Sequence, residues 1–265
     1  MDNAIVITGG ASGIGAAAID RLLAHGRPVI NLDLQPNTNP DIIHIHCDLA
    51  SEASIDAALA RLPDTIFALL NVAGVSQGKL PGETVMAVNF LGLRHLTEQA
   101  MARVIEGGRI VLVASSAGRD WRSRRELIDS MLATRGFKGG LEWLQVNTGA
   151  WQAEPYRFSK QCAAAYTYRA AGLARARNIS VNCVNPGIVN TQLSPDFREM
   201  VGPARYDWIV AQSGRAGTPT DIAPIIEFLA VGDSQWLNGV EITVDGGYFA
   251  GLEGRWIDPG TMPTD

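Results

Sequence analysis

The sequence predicts a single α/β domain, a doubly wound parallel sheet of about seven strands with helices on both faces. Three observations predict it. Short runs rich in Ile and Val recur along the chain, segments with helical apolar spacing lie between most of them, and the runs read as strands buried on both faces. A chain of 265 residues can bury one sizeable core, and no shift in composition divides it, so 1–265 reads as one domain.

In order, the strand runs are Ala4–Thr8, 28–33, 42–46, Ile66–Asn71, 109–114, 179–184 and 240–244. The helical segments are 15–25, closed by Gly26, then 51–61, 83–104, 155–176 and 220–230. Strands alternating with helices form parallel crossovers, and such a sheet takes ligands at the carboxyl ends of its strands. Two stretches break the rhythm. A helical insertion near 119–154 carries Trp121, Trp143 and Trp151, and a Pro- and Gly-punctuated substrate loop spans 188–219.

The net charge of −5 argues against nucleic acid or an anionic membrane as partner, since both need a concentrated basic surface. Three cysteines without paired spacing (Cys47, Cys162, Cys183) suit a reducing compartment. The start lacks the pattern of a signal peptide and no run reaches membrane-spanning length, so a cytoplasmic protein with a small-molecule partner is expected.

The first strand runs straight into Thr8-Gly9-Gly10-Ala11-Ser12-Gly13-Ile14-Gly15 and a helix. Glycine there permits a tight turn, lets backbone approach a pyrophosphate and packs helix on strand, while the helix start supplies free N–H groups. A glycine cluster after a strand can also be a plain turn, but Asp33 ends the second strand 18 residues after Gly15, where a carboxylate accepts hydrogen bonds from an adenosine ribose. It would repel a 2′-phosphate, and no Lys or Arg lies between Asn31 and Asp41, so NAD is expected over NADP on a Rossmann-type sheet.

That glycine pattern, Asn71-Val72-Ala73-Gly74, Tyr156-Arg157-Phe158-Ser159-Lys160 and Pro186-Gly187 stand in an order that resembles the short-chain dehydrogenase/reductase family, from residue 3 to about 248. Val72 stands where the family commonly has a second Asn. The resemblance implies a catalytic set of Asn89, Ser115, Tyr156 and Lys160. It also implies cofactor contacts from Gly9, Ser12, Gly13, Ile14, Gly15, Asp33, Asp48, Leu49, Asn71, Ala73, Gly74, Tyr156, Lys160, Pro186, Gly187 and Thr191. Asp48 and Leu49 would sit beside the adenine and Thr191 at the nicotinamide amide. Ser116 rivals Ser115; the family's serine commonly stands three residues before the glycine matching Gly118. Asn89 would position a water, or would simply satisfy backbone groups.

Tyr156 and Lys160 are four apart on a helix and share a face. Tyrosine's phenol, with a pKa near 10, is a poor base at neutral pH, and an ammonium at about 4 Å in an effective dielectric near 20 offers about 4 kcal/mol, roughly 3 pKa units before desolvation. Tyr156 would then be general base in alcohol oxidation and general acid in ketone reduction; the family resemblance further implies Ser115 on the substrate oxygen and Lys160 on the nicotinamide ribose. The hydride step belongs to the cofactor, and no metal is expected.

His44-Ile45-His46-Cys47 reads as a strand end rather than a metal site, Cys162 as a small buried residue, and the basic run 122–125 as a solvated helix face. Ser115 and Tyr156 stand 41 residues apart against roughly a dozen in the family pattern, so a segment has been inserted. A similar insertion marks the bacterial 3α-hydroxysteroid dehydrogenase/carbonyl reductase branch, which this chain resembles. With Trp121, Trp143, Trp151, Phe197, Met200, Tyr206 and Trp208 as wall candidates, the substrate is expected to be a hydrophobic alicyclic secondary alcohol or ketone, terpenoid or steroid. The same aromatics can instead pack the insertion. The apolar tail (Phe249, Leu252, Trp256, Ile257) is expected to pack on the body or a neighbour, and the family implies a homodimer or homotetramer. Two alternatives stay open: an acyl-carrier ketoreductase of the same family, and a non-catalytic NAD-sensing protein.

Overall fold

The computed structural model describes residues 3–78 and 80–264. Seven strands form one all-parallel sheet in the order β3-β2-β1-β4-β5-β6-β7. They are β1 Ala4–Thr8, β2 Val29–Asp33, β3 Ile43–His46, β4 Ile66–Asn71, β5 Val104–Val113, β6 Ser180–Pro186 and β7 Glu241–Val244. The chain winds outward from β1 in one direction and from β4 in the other, so a crevice opens at the carboxyl ends where the direction reverses.

The pleat divides the core in two. Ala4 and Val6 of β1 join the core under α2 (Glu52–Leu59), α4 (Leu93–Ala100) and α8 (Pro155–Ala174). Ile5 and Ile7 join the core under α1 (Gly13–Leu22) and α11 (Pro219–Val231), which packs Ile19 and Leu22 near Ile222, Ile226 and Leu229. Both faces are therefore covered, which is why the strands read as continuous apolar runs.

The segment expected to be one helix over 83–104 is α3 (Gly82–Met86), a π-helical turn over Ala87–Gly92, α4 and a 3₁₀ turn Met101–Arg103. β5 then begins at Val104 rather than 109: Val104 pairs with Ile66, the register shifts around Gly107 at φ +73°, and Arg109 pairs with Ala68. The insertion folds as a 3₁₀ turn Trp121–Arg124, α5 (Arg125–Leu132), α6 (Gly136–Val146) and α7 (Thr148–Trp151). Its α5–α6 corner is held by Arg94 of α4, only 1% exposed, which donates to Thr134 Oγ1 at 3.0 Å and to the Gly136 carbonyl at 2.5 Å. Trp143 stacks on Phe158 of α8 at 5.8 Å. Beyond β6 come α9 (Ser194–Val201) and α10 (Pro203–Gln212), and after β7 a last helix, α12 (Tyr248–Glu253).

Candidate active site

At the end of β1, the Thr8 hydroxyl accepts the N–H groups of Val72 (3.0 Å) and Ala73 (3.1 Å), joining the exits of β1 and β4. Gly9 follows at φ +75°, and a β-carbon there would stand 2.6 Å from Ala73 Cα, so this close approach admits glycine alone. Asp33 Oδ2 accepts the Ala11 N–H at 3.0 Å and Oδ1 accepts that of Gln35 at 3.1 Å, which ties the carboxylate to the glycine turn. Asp48 Oδ1 caps the Ala50 N–H at 2.8 Å.

A cavity of about 880 Å³ opens along this edge. Gly9, Ser12, Gly13, Ile14, Gly15, Asp33, Asp48, Leu49, Ala73 and Gly74 line it from the β1–β4 side; Pro186, Gly187 and Thr191 line it from the β6 side. Bare backbone at the turn, the open amino end of α1 and a carboxylate at the end of β2 fit the pyrophosphate and ribose of a dinucleotide. Asn71 does not reach this cavity. It is 1% exposed and donates to Thr97 Oγ1 at 3.1 Å in the core, holding the strand end instead.

Ser115, Tyr156 and Lys160 meet in the middle of the cavity. Ser115 leaves β5 and its Oγ accepts the Ala117 N–H at 3.1 Å, starting a 3₁₀ turn Ser116–Gly118. Tyr156 and Lys160 project from the first turns of α8, which Pro155 opens. Lys160 Nζ donates to the Val113 carbonyl at 3.1 Å and lies 5.8 Å from the Tyr156 ring centre. Burial pushes the Tyr156 phenol up to about 12, opposed by a hydrogen bond from Ser115, and pushes the Lys160 ammonium down to about 8. Burial therefore dominates at the phenol, against the lowering by Lys160 expected from the spacing, and the ammonium donates to the Val113 carbonyl. Of the two serines, Ser115 is the one that bonds Tyr156.

Asn89 sits in the π turn, fully buried. Its Oδ1 accepts the Val75 N–H at 2.8 Å, and its Nδ2 donates to the Val75 carbonyl at 2.9 Å and to Ser159 Oγ at 3.2 Å. The carboxamide is therefore spent on the loop after β4 and on α8, and it does not line the cavity.

At the far end, Phe197, Met200 and Tyr206 form a wall, and Phe197 meets Tyr156 edge-on at 5.0 Å. Trp121, Trp143 and Trp151 do not line it. Trp121 Nε1 donates to Glu241, Trp143 stacks on Phe158, and Trp151 Nε1 donates to the Leu144 carbonyl, so these rings pack the insertion. Trp208 instead bonds Thr261 Oγ1 at 3.2 Å, fastening the tail to α10. The tail packs on the body, as its apolar residues predict, and takes a place the sequence did not assign it: Tyr248, Phe249, Leu252 and Met262 complete the apolar hood.

The discounted signals have structural roles. His46 Nδ1 lies 3.3 Å from the Leu34 carbonyl, and Cys162 is wholly buried, its thiol raised by burial. Within the basic run, Arg122 stays largely exposed while bonding Tyr168 and Glu241, and only Arg124, which bonds Gln161 and the Ala150 carbonyl, is packed against the body. Among the described residues no three metal-binding side chains converge, and no helix is long and apolar enough to cross a membrane.

Residues 3–125 match the family model described as short chain dehydrogenase, and residues 140–249 match the one described as Enoyl-(Acyl carrier protein) reductase. The chain is similar to coniferyl-alcohol dehydrogenase of a Pseudomonas species, 34% identical over 92% of this chain and 95% of that protein. It is 30% identical to momilactone A synthase of rice over 91% and 88% of the two chains. The crystal structure of 3-alpha-hydroxysteroid dehydrogenase from Pseudomonas sp. B-0831 complexed with NADH superposes with a TM-score of 0.77 at 27% identity, covering 97% of this chain and all of that one.

Proposed function

The chain belongs to the short-chain dehydrogenase/reductase family, and on that premise we propose that it is an NAD-dependent alcohol dehydrogenase/ketoreductase for a hydrophobic, ring-bearing secondary alcohol and its ketone. The observation that carries the reading is the convergence of Ser115, Tyr156 and Lys160 in one cavity, between a glycine turn and an apolar hood. Bound NAD⁺ would supply the hydride acceptor for alcohol oxidation.

Tyr156 takes the hydroxyl proton of the alcohol or returns it to the ketone oxygen. Ser115 donates a hydrogen bond to the same oxygen, stabilising charge as it develops. Lys160, anchored to Val113, holds the nicotinamide ribose and lowers the cost of phenolate once the cleft carries the positive charge of oxidised nicotinamide. Asn89 fixes the loop after β4 at Val75 and, through Ser159, the α8 face beside Tyr156. Asp33 selects NAD: its carboxylate meets a ribose diol favourably and a 2′-phosphate unfavourably.

Phe197, Met200, Tyr206, Tyr248, Phe249 and Leu252 support a bulky apolar substrate. The relative named as a 3-alpha-hydroxysteroid dehydrogenase favours an alicyclic alcohol. The relative named coniferyl-alcohol dehydrogenase favours a second reading, an aryl-substituted alcohol. The two are separated by turnover of hydroxysteroids, cyclic terpene alcohols, coniferyl alcohol and linear alcohols, followed by the near-ultraviolet absorbance of reduced nicotinamide. Ring alcohols should be oxidised with NAD⁺ and not by Tyr156→Phe; equal turnover of small linear alcohols would remove the ring-bearing class. The homodimer or homotetramer expected from the sequence is part of the proposal, to be tested by light scattering.

A further inference from the structure

We propose that Asp120 is a positioning residue that sets the rotation of α8 and thereby the aim of the Tyr156 phenol. The proposal rests on the reading that Tyr156 and Lys160 carry the proton chemistry. Asp120 lies at the start of the insertion, on the cavity wall, outside the residues that the family resemblance assigns.

Its two carboxylate oxygens hold two residues of α8. Oδ1 accepts from Gln161 Nε2 at 2.9 Å, and Oδ2 accepts from the Arg157 guanidinium at 2.5 Å. Arg157 directly follows Tyr156, and Gln161 directly follows Lys160. The gripped pair is thus spaced i, i+4, as the chemical pair is, on a stripe displaced by about 100° around the helix. One carboxylate therefore fixes a full turn of α8 beside the stripe that bears the phenol and the ammonium.

The grip is buried at the Gln161 end and half-exposed at the Arg157 end. Gln161 is fully buried, and its Oε1 accepts from Arg124 at 3.3 Å; that same guanidinium also bonds the Ala150 carbonyl and lies 4.9 Å above the Phe158 ring. Arg157 is braced a second time by Glu154, at 3.2 Å, just before the helix begins. On the other side of Asp120, the chain runs back within five residues to Ser115, with Gly118 packed on the Lys160 backbone. Ser115, Gly118 and Asp120 thus form one bracket whose ends touch the phenol, the Lys160 carbonyl and the neighbouring stripe. Burial raises the Asp120 carboxyl, but hydrogen bonds from Gln161 and Arg157 outweigh it and hold the group below the usual carboxylate range, so the bracket stays charged at neutral pH. A rotation of α8 by about 10° would move the phenol oxygen by roughly 1 Å, a misplacement that costs up to about 10²-fold in rate.

The test compares Asp120→Ala, Asp120→Asn and Tyr156→Phe with the wild type, using an alcohol the wild type oxidises, and measures kcat, KM, NADH dissociation constant and melting temperature. Asp120→Ala should lose about 10- to 100-fold in kcat with KM and NADH affinity within about three-fold. Asp120→Asn, which keeps one of the two acceptors, should fall between. An unchanged kcat in Asp120→Ala, or a loss in kcat matched by an equal loss in NADH affinity and folded fraction, overturns the proposal. If Asp120→Ala does not fold, Asp120→Asn decides on the same criteria. Wild-type turnover in Tyr156→Phe would instead overturn the reading of the site on which the bracket depends; a dead Tyr156→Phe beside an unimpaired Asp120→Ala overturns the bracket alone.

Discussion

Gly118 packs on the backbone of Lys160 so closely that a β-carbon there would stand 2.5 Å from the Lys160 carbonyl carbon and oxygen. The turn bearing Ser115 and the helix bearing Tyr156 and Lys160 are in register because one residue between them has no side chain. Gly118→Ala should force the two apart, lowering kcat by about ten-fold or more while leaving cofactor affinity nearly unchanged. Steady-state kinetics with NADH titration checks this; a wild-type kcat would show that the contact is not what aligns them.

Asp33 is already oriented by the Ala11 and Gln35 N–H groups. A hydrogen bond to a charged acceptor is worth about 1.5–3 kcal/mol, so Asp33→Ala should weaken NADH binding by about 10- to 150-fold. NADPH binding should weaken less or improve, because the repulsion is also removed. Quenching of tryptophan fluorescence by each nucleotide reads both; an unchanged ratio of affinities would remove Asp33 from cofactor selection.

Burial pushes the Lys160 ammonium down from its usual 10.5 to about 8. Between these values the unfolded chain binds the proton and the folded chain does not, so stability contributed by this site rises with pH across that window, by about 3 kcal/mol in all. The Tyr156 phenol, raised to about 12, opposes this only above pH 10. Lys160→Met should abolish the rise. The difference in urea midpoint between wild type and variant, followed from pH 7.5 to 10, isolates the effect, since the buried thiols are common to both. A difference that stays flat would place the Lys160 pKa near its ordinary value.

Glu241 of β7 gathers four groups: Oε1 accepts from Trp121 Nε1 (3.0 Å), Arg122 (3.3 Å) and the Tyr168 hydroxyl (2.8 Å), and Oε2 from Asn185 Nδ2 (2.9 Å). It joins the sheet edge to the insertion and to α8. Glu241→Ala leaves these donors without their acceptor, at a cost of about 3 kcal/mol, and should lower the melting temperature by roughly 5–10 °C. A shift within about 1 °C would mean that water replaces the carboxylate without loss.

The sheet was legible because strands buried on both faces must be apolar throughout, and the turn at Thr8–Gly15 was legible because only glycine tolerates the approach of Gly9 to Ala73. The Tyr156 and Lys160 spacing was legible because a helix repeats faces every four residues. The π turn at Ala87–Gly92 was not, since residues 85–97 are buried almost throughout and the shift of face that the wider turn brings leaves no mark on the apolar pattern. The early start of β5 hid behind Gly107 and Gly108, which read as a loop. Nothing in the sequence singles out Arg94, because its partners are carbonyls of a corner some 40 residues away that only the tertiary fold supplies. For the same reason the hood was half missed. Trp121 and Trp151 had the chemistry of a pocket wall and serve as packing, while the tail's apolar residues announced that it packs on something but not that Tyr248 and Met262 would reach the cavity.

The central claim is hydride transfer from a carbinol carbon, and isotope transfer tests it most directly. A ring alcohol carrying deuterium at that carbon, incubated with NAD⁺ and the purified protein, should yield reduced cofactor one mass unit heavier, with the ketone free of label and no transfer by Tyr156→Phe. Reduced cofactor without deuterium, label released to water, or equal transfer by the variant would contradict the account.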